Sequence, residues 1–333
     1  MTAPAIEAEG LGKRYEPAGV DALADVSFAV APGEVFGFLG RNGAGKSTTV
    51  RILTTLLAPT SGTARVGGHD VAEEPSAVRQ VLGAALQEAA LDELMTGREH
   101  LSLAGRLAGL AKPVAAERAA ELLATFGLVA AADRVAATYS GGMRRRLDVA
   151  MAMVRKPAVL FLDEPTTGLD PQGRRALWGL IADLRKEGTT VFLTTQYLAE
   201  ADELSDRVAI VHDGRIAALG TPQELKDSVD TTTVRMRIGA GSPAAALREA
   251  GLTPDDSGWV VLAVANDGAS VPALIARLHA AGVVIERLAI MPPTLEDVFV
   301  NLTGSEIEAS AGLGSESGSL SAVRRGLGVP GRP

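Results

Sequence analysis

GRNGAGKST, Gly40 to Thr48, follows the continuous apolar run VFGFL (Val35 to Leu39) and opens an apolar-periodic segment that ends near Leu57. A glycine loop between a buried strand and a helix turns backbone N–H groups and the positive end of the helix dipole towards one point, the geometry of a phosphate cradle. The spacing G-x-x-x-x-G-K-[ST] is met in full by Gly40, Gly45, Lys46 and Ser47, with Arg41, Asn42, Gly43, Ala44 and Thr48 completing the loop. Glycine lets the backbone approach the phosphates, Lys46 reaches the β- and γ-phosphates, and the Ser47 hydroxyl is placed to hold Mg²⁺.

Outward from that loop, 333 residues with 47% hydrophobic and 22% charged content suffice for a well-buried core and one to three domains. The absence of cysteine excludes disulfides and cysteine metal sites, which suits a reducing cytosol. A net charge of −8 argues against a broad nucleic-acid footprint. The densest basic run, Arg144, Arg145 and Arg146, reads as a solvated helix face rather than a binding site. No window reaches the roughly 18 apolar residues of a membrane span, and MTAPAIEAEG lacks the basic start and apolar core of a secretion signal. The expected location is therefore the cytoplasm, with any membrane contact made through a partner.

Ile6 to Val30 combines apolar alternation with turn residues at Pro17, Gly19, Pro32 and Gly33, which predicts an antiparallel β region. Tyr15 either packs on this sheet or stacks on a base. Short strands are expected within Thr60–Asp70 and Val81–Gln87. From Thr96 to about Leu128 the pattern turns to alanine- and leucine-rich helical periodicity, with breaks at Gly109 and Pro113. AVLFL (Ala158 to Leu162), TTVFLTT (Thr189 to Thr195) and Arg207 to Val211 are apolar strands, with a helix over Pro171–Lys186 between the first two. Such alternation means a parallel sheet covered on both faces.

Beyond Lys226, Thr231 to about Gly304 reads strand, helix, strand, helix, strand, helix, a small α+β domain. After Ser305 the chain is rich in Gly and Ser and is expected to be disordered.

Two further stretches carry chemistry. FLDEP delivers Asp163 at the end of an apolar strand, placed to bind Mg²⁺ through water, and Glu164 beside it, able to polarise an attacking water. YSGGMRRRL sets Ser140, Gly141 and Gly142 at the start of a helix, a second anion site by geometry. Two such helix starts in one chain mean either two ligands or one ligand shared between copies.

GRNGAGKST, YSGGMRRRL and FLDEPTTGLD in this order resemble the nucleotide-binding subunit of ABC transporters, over about Ile6 to Lys226. TTQYLAEAD (Thr194 to Asp202) and PPTLEDVFVNLTG (Pro292 to Gly304) are similar to the daunorubicin/doxorubicin-resistance type of drug exporter. The resemblance implies an α/β P-loop NTPase fold with an antiparallel β region and a helical subdomain. The domains would be 1–228 (helical subdomain about 88–156), an accessory α+β domain over 229–304, and a tail over 305–333.

What the family implies is an ATPase, with ATP and Mg²⁺ as cofactors, working as a head-to-tail dimer. ATP on the loop of one copy is closed over by Ser140, Gly141 and Gly142 of the other, and a separate membrane permease subunit is driven, with drug, antibiotic or lipid-like cargo. Tyr15 would stack on adenine, Gln87 sense Mg²⁺ and the membrane partner, and Asp170 cross the dimer. The switch position after TVFLTT is Gln196 rather than His; glutamine donates a hydrogen bond to the γ-phosphate but does not titrate near neutrality. Tyr139 and Met143 stand where many members have Leu and Gln. PTLEDVFVNLTG is either a packing helix of the C-terminal domain or a helix that docks on the ATPase core or the partner copy.

The alternative is a soluble ABC-type ATPase acting on ribosomes or DNA. It is disfavoured by a single phosphate loop, by only 94 residues between Lys46 and Ser140, and by the acidic balance. A regulatory module that holds nucleotide without hydrolysis is disfavoured by the intact Asp163 and Glu164 pair.

Overall fold

A computed structural model describes residues 3–17, 19–87 and 91–304. The expected start of the helical subdomain at residue 88 and the expected disordered tail both lie outside the described residues. The chain divides into two compact units, up to Pro222 and from Gln223.

In the first unit the chain runs β1 (Ile6–Tyr15), β2 (Val20–Val30), β3 (Val35–Gly40), α1 (Lys46–Leu53), β4 (Ser61–Val66), β5 (His69–Asp70), α2 (Pro75–Val81) and β6 (Leu82–Ala85). Helices α3 (Gly97–Leu107), α4 (Lys112–Thr125) and α5 (Gly141–Ala152) follow. The unit then closes with β7 (Val159–Asp163), α6 (Pro171–Lys186), β8 (Thr190–Thr195), α7 (Leu198–Leu204), β9 (Arg207–His212) and β10 (Arg215–Gly220).

Strands β6, β7, β8, β3 and β9 pair in parallel in that order, and β10 adds on antiparallel beside β9. The expected parallel sheet is therefore mixed at one edge. The turn at Asp213 and Gly214 (φ 46° and 70°) folds β10 straight back on β9, a connection too short for a parallel crossover.

Alternation within the central strands explains why both faces are covered. Phe36, Phe38, Phe161 and Phe192 join the core under the antiparallel β1–β2–β4–β5 sheet. Val35, Leu160, Leu162, Val191 and Leu193 point into the core built with α3, α4, α5 and α6. Phe28 of β2 meets Phe36, Phe38 and Phe192 with ring centroids 5.4–5.7 Å apart. Burying each such ring contributes about 1.5–3 kcal/mol.

Local signals set the helical insert. Thr96 and Glu99 form a capping box at the start of α3, and Gly109 (φ 86°) turns the chain after it. Pro113 is not a break, as its pattern suggested; it sits in the first turn of α4, where its missing N–H has no partner to lose.

The second unit follows α8 (Pro222–Asp227), which straddles the division. It runs β11 (Thr231–Ile238), α9 (Ala244–Glu249), β12 (Trp259–Ala265), α10 (Ser270–Ala280), β13 (Ile285–Met291) and α11 (Leu295–Thr303), with antiparallel sheet order β12–β11–β13. Val234, Met236, Ile238, Val260 and Leu278 form its core. Helix α11 opens on a capping box of Thr294 and Asp297 and buries Leu295, Val298 and Phe299.

Candidate functional site

The register of the parallel strands brings the chemistry to one edge. Leu39 lies opposite Thr195 and Asp163 opposite Thr194, so the carboxyl ends of β3, β8 and β7 are level. The phosphate loop, Gln196 and Glu164 leave from those adjacent ends, where open α/β sheets bind ligands.

Gly45 is the N-cap of α1 at φ 102°, a conformation L side chains avoid, and a Cβ there would lie 2.5 Å from the Ala22 carbonyl oxygen. Lys46 is buried. Its Nζ donates to the carbonyl oxygens of Gly40 (2.8 Å) and Arg41 (3.0 Å) and pairs with Glu164 Oε1 at 3.0 Å. Arg41, Asn42 and Gly43 are exposed, Ala44 is buried, and Ser47 and Thr48 are half-buried. The Tyr15 hydroxyl lies 3.4 Å from Thr48 Oγ1, so the end of β1 sits beside the start of α1.

Glu164 adopts φ 47°, unusual for a residue with a side chain, and is pinned there by its N–H donating to the carbonyl oxygen and the hydroxyl of Thr194, both at 3.1 Å. The same Thr194 hydroxyl donates to Asp163 Oδ1. Thr194 therefore holds both acids, a role the sequence reading missed; the only signal was a Thr pair ending an apolar strand. Asp163 offers a carboxylate and Ser47 a hydroxyl. Mg²⁺ usually takes one or two protein oxygens and completes its shell with phosphates and water, so this donor set fits it. No group of three or more His, Asp or Glu among the described residues makes an all-protein cage.

A second cluster surrounds the start of α5. Ser140 and Gly141 are exposed, and the Ser140 hydroxyl caps the helix by accepting from the Met143 N–H. A Cβ built on Gly141 or Gly142 meets nothing of this chain nearer than 3.6 Å. Asp170 stands close by as the N-cap of α6, accepting from the Gly173 N–H at 2.8 Å. Nothing in this chain brings Ser140, Gly141 or Gly142 into bonding contact with the phosphate loop among the described residues. Gln87 is exposed two residues past β6, on the side of β7 away from the loop.

The basic run is not the solvated face expected from the sequence. Arg145 is buried, and its guanidinium donates to the carbonyl oxygens of Leu86, Asp163 and Pro165 and to Asp148. Arg144 donates to the Ala137 carbonyl and Arg146 to that of Phe126. Burial pushes the Arg145 guanidinium down and the Asp148 carboxyl up to about 6, each opposed by the other's charge. Glu200 is also buried, accepts from Trp178 Nε1 at 3.0 Å, and is raised by burial. Tyr139 points inward, its hydroxyl donating to the Ala131 carbonyl at 2.7 Å.

A family model for ABC transporters matches residues 23–167. The daunorubicin/doxorubicin resistance ATP-binding protein DrrA of Streptomyces peucetius is 47% identical over 90% of this chain and 92% of its own length. The chain belongs to the ABC transporter family. Within it, this ABC subunit is an ATP-binding member of the drug-resistance exporter group, and an ATPase of the ABC class. A model of the C-terminal domain of DrrA1-3-like ATP-binding proteins matches residues 220–303. A solved ATP-binding subunit of an ABC transporter shares 32% identity and a TM-score of 0.60 over 67% of this chain and 92% of that one. A bacterial ABC transporter cassette solved as a dimer gives 25% and 0.60 over 65% and 98%. Among the described residues no helix is long and apolar enough to cross a membrane.

Proposed function

We propose that this ABC subunit binds ATP with Mg²⁺ on Gly40–Thr48 and closes head to tail on a second copy, which supplies its Ser140, Gly141 and Gly142. Hydrolysis then reopens the pair and drives a separate membrane subunit that exports a drug-like or lipid-like cargo, with the ATPase held at the cytoplasmic face. Tyr15 stacks on the adenine, Asp163 and Ser47 hold the metal, Glu164 orients the water, Gln196 donates to the γ-phosphate, Asp170 crosses the dimer, and Gln87 reports to the membrane partner. Mg²⁺ supplies charge neutralisation on the phosphates.

The observation that carries this reading is the pair of glycines at the start of α5. Gly141 is exposed and Gly142 half-buried, and no atom from outside their own helix comes nearer than 3.6 Å to a Cβ there. Glycine at such positions suits a ligand that approaches the backbone closely from outside. A solved bacterial ABC transporter cassette is dimeric, which supports the pairing of two copies.

The test is ATP turnover per molecule as the purified protein is diluted. A paired site gives a specific activity that falls on dilution; a rate per molecule independent of concentration down to full dissociation would sink the paired site. Co-purification of a membrane-spanning companion from detergent extracts checks the second half.

Gln196 carries a separate prediction. An amide does not titrate, so turnover should show no step attributable to an imidazole near pH 6.5, and Gln196→His should introduce one about there. Identical pH–rate profiles for the two proteins would remove Gln196 from contact with the phosphate.

A further inference from the structure

Arg145 is unusual in what it touches. From α5, its Nε donates to the Pro165 carbonyl at 3.1 Å and its terminal nitrogens to those of Asp163 (2.8 Å) and Leu86 (2.6 Å). Asp163 and Pro165 flank Glu164, and Leu86 immediately precedes Gln87. The anchor on its own helix is Asp148, at 2.8 Å. One planar fork thus fixes the backbone on both sides of Glu164 and at the root of Gln87, from a helix that Ser140 caps.

Fold stability alone does not require this arrangement. A buried ion pair contributes little net stability, and apolar side chains of similar volume often serve as well or better. What an apolar side chain does not do is hold three carbonyls from two strand ends in fixed relative positions, which needs the rigid, multi-donor guanidinium.

We infer that Arg145 is a positioning residue for ATP hydrolysis: through the Asp163 and Pro165 carbonyls it sets the Glu164 carboxylate, and through Leu86 it ties that setting to Gln87. The inference rests on the proposed role of Glu164 at the water. Its effect falls chiefly on the chemical step, because Lys46 keeps its bonds to the Gly40 and Arg41 carbonyls when the Glu164 carboxylate shifts.

Two variants of the full chain separate this from a packing role. Arg145→Lys keeps the charge opposite Asp148 but loses the fork; Arg145→Met with Asp148→Ala removes both charges together. Both should bind ATP within about threefold of the parent while kcat falls on the order of tenfold to a hundredfold, the cost of a small misplacement of a catalytic group. A kcat within about twofold of the parent for either variant would overturn the inference, as would loss of ATP binding in proportion to kcat. Glu164→Gln, assayed alongside, keeps the two readings apart. If that protein turns over normally, the role of Glu164 fails and the present inference falls with it; if it is inactive while the Arg145 variants are normal, only the present inference fails.

Discussion

Lys46→Ala is expected to lower ATP turnover by about 10²- to 10³-fold, the usual cost of removing one preorganised charge from a site where charge develops. The structure adds a second consequence. Lys46 Nζ is the cation beside the buried Glu164 carboxylate, at 3.0 Å. Truncating it strands that carboxylate, and breaking a buried pair from one side costs about 3–5 kcal/mol. The melting temperature should therefore fall together with activity. Lys46→Ala combined with Glu164→Gln separates the two, recovering most of the melting temperature and none of the turnover. Phosphate release and thermal denaturation measure both, and turnover by Lys46→Ala within about threefold of the parent would take Lys46 off the phosphates.

Glu164→Gln should reduce kcat by about 10²- to 10⁴-fold, the range for loss of a positioned base, while leaving ATP bound and the dimer closed. Gel filtration with ATP and Mg²⁺ should show a persistent dimer. The Lys46–Glu164 pair implies that ATP affinity also rises. In the parent, Lys46 is satisfied internally by Glu164, so a phosphate must compete with a carboxylate for the ammonium. An amide competes less well for a cation than a carboxylate does. Unchanged or weaker ATP binding by this variant would show that the Lys46–Glu164 pair does not oppose the nucleotide, and normal turnover would remove Glu164 from the water.

Much of this molecule is legible without coordinates because its causes are local. The run VFGFL followed by GRNGAGKST places a strand, loop and helix by apolar pattern and glycine spacing, and the structure puts β3, the loop and α1 there. AVLFL, TTVFLTT and Pro171–Lys186 coincide with β7, β8 and α6 to within a residue or two. Where local pattern was ambiguous it failed in understandable ways. Pro113 starts a helix as readily as it ends one, and β10 is half-exposed with a weak apolar signal, so neither it nor the mixed sheet edge was foreseen.

By itself, the sequence determined where a glycine loop joins β3 to α1, which strand ends carry the acids, and the alternation of apolar strands and helices, because glycine, lysine and apolar periodicity act within a few residues of where they stand. Only the tertiary structure decided which charges are interior. Arg145 was indistinguishable from Arg144 and Arg146 as text, yet its acceptors at Leu86 and Asp163 lie 59 and 18 residues away in the chain. Likewise Thr194 meets Asp163 from 31 residues away, and Lys46 meets Glu164 across the strand ends. Whether an ionic side chain faces water or a carbonyl depends on which helix face meets the sheet and on the partners waiting there, and such long-range complementarity is set by packing rather than by any local pattern.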